Sequence, residues 1–417
     1  MASGGRSGPT TALHGGRAFA LAILIYGIVV SGVTLPTPLY VTYQDRWDLS
    51  NASVTLLYSM YPVGVLVVLL LAGHWSDSVG RKAVLAVAIT ASALSSLCFL
   101  IAANFALLAI ARTLTGVASG LVVSAANALL VELYPVDRRR HASLVSAGTN
   151  QLGLGAGALA SAFLVEYAWE PTRTVFACHL AALAVGSACL RYVPETVMHR
   201  RRFTLRVQRL RLPESERSRF LAASLAAFAA FALCGLLAAL APAILRDQLG
   251  SDSPVFAGGA VFLIFAASGV SPIGWFRLRD FTALVSGLML LVGSLGLITL
   301  GLATTSVALF LAGITAGGVA VGAVFMSSLA MVNAGASRER RSQATSTYFA
   351  ITFSGLILPV VGTGLAADHL TQFQATTAFA SVIGAVAAAA AISICAVNVR
   401  DKRRAVDVRS RTGAPPG

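Results

Sequence analysis

Charge is what this sequence has least of. Only 12% of its 417 residues are charged, while 56% are hydrophobic, and the mean hydropathy is +0.77. A water-soluble chain of this length needs more charge to cover its surface. Lysine is almost missing: Lys82 and Lys402 are the two, and the rest of the 31 basic residues are arginines. The 17 acids all fall at the ends of apolar runs or between them. Five cysteines (Cys98, Cys178, Cys189, Cys234 and Cys395) lie inside apolar runs with no CxxC and no metal spacing. That pattern excludes a disulfide framework and a cysteine metal centre. The histidines are scattered, and no HExxH, nucleophile elbow or phosphate loop occurs. A membrane-embedded enzyme is therefore left without a catalytic constellation, and no cofactor is expected.

What is present is a series of long apolar runs. Many approach the ~20 residues a helix needs to cross ~30 Å of hydrocarbon. They are continuous rather than alternating, which selects helices over a β-barrel. Twelve spans are expected, at about 18–40, 53–73, 83–102, 105–131, 142–165, 174–193, 220–243, 255–274, 281–300, 304–331, 343–366 and 373–397. Pro36 and Pro38 should bend or break the first near its end. The residues before it, 1–17, are polar and lack the sequence of a cleavable signal peptide. The longest intervening segment, 194–219, is rich in arginine and divides the chain into six-helix halves, 18–193 and 220–397, followed by a tail, 398–417.

The net charge of +14 does not indicate a nucleic-acid partner, because the basic residues sit in short segments on one side of the spans. Only Arg46, Arg173 and Arg246 fall on the other side, and Arg112 falls within a span. This asymmetry predicts both termini in the cytoplasm, and the preference for arginine over lysine with many alanines and glycines points to a GC-rich bacterial genome, hence a multi-pass protein of a bacterial plasma membrane. The halves are also related in sequence. One shift of about 202 residues lays Thr113, Gly116, Val117, Ala118 and Gly120 onto Thr315, Gly318, Val319, Ala320 and Gly322. It also pairs Arg138 and Arg139 with Arg340 and Arg341, and Gly153-Leu154 with Gly355-Leu356. A parallel repeat of this kind is one architecture used for alternating access.

The most informative string is Gly73-His-Trp-Ser-Asp77-Ser-Val-Gly80-Arg81-Lys82. Gly73 permits close helix approach, Gly80 a tight turn, and Asp77 is an acid beside two cations. The string resembles the signature loop of the major facilitator superfamily, with Ser78 departing from the usual basic residue. The resemblance implies twelve helices in two pseudo-symmetric bundles and a cytoplasmic latch containing Gly73, Asp77, Gly80, Arg81 and Lys82. Its expected partners are Glu132 and the start of the eleventh helix. Within the fourth helix, Arg112-x-x-x-Gly116-x-x-x-Gly120 resembles the family's helix-4 motif, which implies a charge in the cavity with a part in coupling. The alternative is an arginine that caps carbonyls or snorkels outward. Helix 5 is rich in glycine but lacks the Gly-Pro of the family's drug/proton antiporters. A similar pattern occurs in helix 11, as Gly355-x-x-x-Pro359-x-x-Gly362.

Polar residues within spans are the candidate lining of a substrate cavity: Tyr26, Tyr61, Asn127, Asn150, Gln151 and Tyr348. The reading is a secondary transporter of a small molecule in a lipid bilayer, acting as a monomer, with export as its first direction and protons as the candidate coupling ion. Uptake or facilitated passage on the same fold is the alternative, and a non-transporting scaffold a distant one.

Overall fold

The computed structural model describes residues 9–72, 75–134, 139–197, 216–275, 278–335 and 341–412. All regular elements among them are helices. The N-terminal set is α1 (Pro9–Ser31), α2 (Tyr40–Trp47), α3 (Asn51–Ala72), α4 (Trp75–Val79), α5 (Arg81–Leu100), α6 (Phe105–Leu133), α7 (Arg139–Tyr167) and α8 (Pro171–Leu190). The C-terminal set is α9 (Arg217–Leu249), α10 (Pro254–Trp275), α11 (Asp280–Ala303), α12 (Val307–Gly335), α13 (Arg341–Gly355), α14 (Leu358–Ala367) and α15 (Gln372–Thr412).

Ten helices among the described residues are long and apolar enough to cross a membrane, and Gly16–Ser31 is a shorter apolar stretch. The protein is an all-α membrane protein. The fifth expected span, α7, has 29 residues but carries Thr149, Asn150 and Gln151. It packs along α10 and α1, and Gln151 bonds Ser268 of α10. Large apolar side chains such as Leu94, Ile110, Val185 and Ile392 are exposed on the outside of the molecule, as a lipid-facing surface requires. Helix α9 is the most enclosed, with 89% of its most apolar stretch buried, against 33% for α15.

The first expected span is not one helix. α1 ends at Ser31, and the chain continues through shorter-range bonds: Val33 N–H to Val30 C=O at 3.0 Å, Thr37 N–H to Thr34 C=O at 3.0 Å, Leu39 N–H to Pro36 C=O at 3.1 Å. Pro36 and Pro38 have no N–H to donate, so the α-helical ladder cannot run through them. The carbonyls of Val33 and Leu35 are thereby released from the ladder. The eleventh span breaks similarly, with Leu356 and Ile357 bonding three residues back just before Pro359.

Small residues set the tightest crossings. A Cβ on Gly64 would lie 2.6 Å from the Thr113 carbonyl and 3.0 Å from the Gly116 Cα, and one on Gly120 would lie 2.8 Å from the Val68 Cβ. These glycines let α6 touch the backbone of α3. Their repeat counterparts Gly318 and Gly322 meet the Ile264 and Ser268 carbonyls of α10 in the same way.

Candidate functional site

The two sets face each other across a cavity of about 480 Å³. Its N-terminal wall is polar: Tyr26, Tyr58, Tyr61, Asn127, Asn150 and Gln151, with four serines, line it. Asn127 Oδ1 accepts from Tyr26 Oη at 3.5 Å and also from Ser146. Asn150 donates to the Gln151 side chain at 3.4 Å, and Gln151 Nε2 reaches across the gap to Ser268 of α10 at 2.7 Å. The C-terminal wall is apolar and aromatic. Phe231 of α9, Phe325 of α12, and Phe349 and Phe353 of α13 all line it. Their rings form a closed circuit, with successive centroids 5.3, 6.3, 6.2 and 5.7 Å apart. Among the described residues, no Asp, Glu, Lys, Arg or His lines the cavity.

Five expected lining residues, Tyr26, Tyr61, Asn127, Asn150 and Gln151, are on this wall, and Gly120 joins them. Tyr348 is not. It is fully buried behind the wall among Phe220, Ala223 and Val332, with its hydroxyl 2.7 Å from Ser328 Oγ. Neighbouring helical positions point about 100° apart, so turning Phe349 into the cavity turns Tyr348 away.

Arg112 also departs from its expected place. It is fully buried and absent from the cavity wall. Its Nη1 donates to the released Val33 carbonyl at 2.6 Å. The rings of Tyr40, Tyr58 and Tyr61 surround the guanidinium, with its Cζ 5.7, 5.5 and 5.6 Å from their centroids. Nε and Nη2 have no hydrogen-bond partner among the described residues. Cation–π contacts reach roughly 2 kcal/mol each when desolvated, which offsets part of the cost of an unpaired buried charge. The prolines of the first span thus create the acceptor that holds Arg112. Gly116, one turn on, serves the α3–α6 crossing.

At the end of the molecule that carries the basic loops, Arg81 is buried and binds Glu132 through both carboxylate oxygens (2.9 and 3.3 Å) and Ser76 at 2.7 Å. Glu195, which sequence reasoning passed over, accepts from the Arg81 and Lys82 amides at 2.9 and 3.2 Å and so caps α5. Thr196 donates to Glu132 at 2.5 Å, and Lys82 Nζ to the Arg191 carbonyl at 3.1 Å. Gly80 takes φ +113° with the Glu195 carboxylate against its Cα face, a conformation a side chain would oppose. Of the expected latch, Gly80, Arg81, Lys82 and Glu132 therefore converge, all within the N-terminal set. Gly73, the Asp77 side chain and the side chains at the start of α13 lie outside the described residues.

At the far end the sets are tied together. Asp368, just past α14, accepts from the Asn51 and Ala52 amides at the start of α3, at 2.9 and 3.3 Å. Glu166, near the end of α7, accepts from Ser253 Oγ and the Val255 amide at the start of α10, at 2.8 and 3.0 Å. Arg246 reaches Asp45 at 3.3 Å. Each of the first two places a carboxylate on the N-terminus of a helix in the other set, where orphan amides and the helix dipole favour it. The 202-residue shift that relates the halves carries Glu166 onto Asp368 and Asn51 onto Ser253. That shift was the signal that would have found the pair.

A family model described as Major Facilitator Superfamily matches residues 19–358. Among curated proteins, the gallate transporter of Pseudomonas putida is 33% identical over 147 residues, 35% of this chain and 31% of that protein. Multidrug resistance protein 1 of Bacillus subtilis is 23% identical over 147 residues, 35% of this chain and 36% of that protein. Both matches span only about a third of the relative's length. Among solved structures, the nucleoside transporter NupG superimposes with a TM-score of 0.69 over 92% of this chain and 99% of its own, at 13% identity, which speaks for the fold alone. With the family model covering most of its length, the chain belongs to the Major Facilitator Superfamily.

Proposed function

We propose that the protein is a secondary transporter that carries an organic small molecule across a bacterial plasma membrane by alternating access. The observation that supports this most is the uneven closure of the cavity. Carboxylates bridge the two helix sets at the far end, whereas at the basic end the bonds from Arg81 to Glu132 and from the Arg81 and Lys82 amides to Glu195 join parts of the N-terminal set. In this reading the basic end is cytoplasmic, the conformation is closed to the outside, and the unit is the monomer, because both walls come from one chain. With no nucleotide-binding motif, an ion or substrate gradient supplies the energy.

Export is the first direction, in line with a multidrug resistance relative. The second reading is uptake, favoured by the lack of any carboxylate among the described residues of the cavity wall and by a gallate transporter among the relatives. The test is accumulation of a chemically diverse panel in efflux-deficient bacteria expressing the protein or Arg81→Ala, with and without a protonophore. Lower accumulation that the variant and protonophore abolish supports gradient-driven export. Higher accumulation assigns uptake. No difference for any compound, with insertion verified, removes the transport reading.

A further inference from the structure

The two walls of the cavity differ in kind, and that difference defines a ligand. On one side stand Phe231, Phe325, Phe349 and Phe353, each ring in contact with two others. A flat ring laid against them finds apolar contact and offset or edge-to-face packing. On the opposite side, Asn127 uses its carbonyl for Tyr26 and Ser146, which leaves its amide N–H groups for a ligand acceptor. Asn150 uses its N–H, which leaves its carbonyl for a ligand donor. The wall therefore offers both halves of a hydrogen bond, and an aromatic seat lines the same cavity, whose volume of about 480 Å³ suits a one- or two-ring molecule.

Charge narrows the class further. Among the described residues no carboxylate lines the cavity, so a cation entering it would lose water without a counter-charge from them. The phenylalanine faces would attract a cation, but the positive charge of Arg112 opposes that attraction. Arg112 lies against the rings of Tyr58 and Tyr61, and both rings line the cavity. It is fully buried and pairs with no acid among the described residues, so its field is weakly screened on the cavity side. We propose that the substrate is a one- or two-ring aromatic compound that carries hydroxyl or carbonyl groups and no positive charge, with its ring on the four phenylalanines and its polar edge on Asn127 and Asn150.

This inference rests on the transport reading, but its test is binding alone. Calorimetry on the purified full chain would compare 4-hydroxybenzoate, its neutral methyl ester, and benzyltrimethylammonium. The acid and the ester should bind at least tenfold more tightly than the cation. Phe353→Ala and Asn150→Ala should each weaken the ester about tenfold. Arg112→Gln should narrow the gap between ester and cation while ester binding, which reports that the site is folded, persists. Should the Arg112 variant not fold, the phenylalanine and asparagine variants decide. Cation binding as tight as the ester's, binding indifferent to both Phe353→Ala and Asn150→Ala, or no binding by any of the three overturns the proposal. If binding fails while the cavity still changes the side from which it is reached, the substrate class falls and transport stands. If binding follows the expected order in a cavity fixed to one side, transport falls.

Discussion

Removing the Asp368 carboxylate should open the far end of the cavity by a predictable amount. Asp368 accepts from the amides of Asn51 and Ala52, the first residues of α3, and thereby performs the work of an N-cap from across the interface between the sets. Replacing a good cap by alanine costs typically ~1 kcal/mol. That loss applies only to the conformation in which the sets meet, so it transfers to the equilibrium between closed and open, about a fivefold shift. Pulsed electron resonance between spin labels at Ala168 and Ser251, in a background free of native cysteines, reads the distance across the far end directly. Asp368→Ala should raise the ratio of long to short distances about fivefold. Asp368→Asn should shift it less, because asparagine caps nearly as well as aspartate. An Asp368→Ala distribution identical to that of the parent would refute the latch.

Acidification should act on the other latch. Hydrogen bonds from Ser253 and the Val255 amide hold the Glu166 carboxyl below the ordinary carboxylate range in the closed conformation. Its contribution to closure is present above the ordinary range and is lost as pH falls through the lowered value. The same distance measurement should lengthen only at acidic pH, and Glu166→Gln should flatten that response. Glu195→Ala uncaps α5 and leaves the strained Gly80 turn without its partner, so thermal unfolding in detergent should report a loss of ~1 kcal/mol. Gly116→Ala drives a methyl into the Tyr61 carbonyl and should cost about 1–3 kcal/mol by overpacking, seen as a lower melting temperature and reduced yield of folded protein. Gly293→Ala, where a Cβ meets open space, should leave both unchanged.

Span positions were legible because the bilayer imposes length and apolarity on each helix separately, without reference to its neighbours. Arg112 was legible as an anomaly, being a cation inside a span, and so were the prolines at 36 and 38 that interrupt the first helix. Their relation was not legible. That Pro36 and Pro38 release the Val33 carbonyl, and that Arg112 binds it, depends on how α6 meets the turn after α1. The polar wall could be named residue by residue because asparagine and glutamine are rare within spans. The phenylalanine circuit could not, because 20 phenylalanines are distributed among lipid, core and cavity, and composition does not distinguish these. At Tyr348 the hydroxyl marks a candidate for the cavity, but helical rotation assigns the cavity to its neighbour Phe349. Glu166 and Asp368 were passed over as ordinary acids at helix ends, although the repeat that pairs them was in view.

In alternating access one cavity is reached from one side at a time, and Cys234 reports on it. This cysteine lines the cavity and is 5% exposed. In a variant with the other four cysteines replaced by serine, membrane-impermeant thiosulfonate labelling would be followed in inside-out and right-side-out vesicles. The account predicts labelling from the cytoplasmic side in the parent. Labelling should extend to the outer side when Glu166→Ala and Asp368→Ala are combined, with cytoplasmic labelling falling as outer labelling rises. Equal labelling from both sides in the parent, or labelling that stays on one side when both latches are removed, would contradict it.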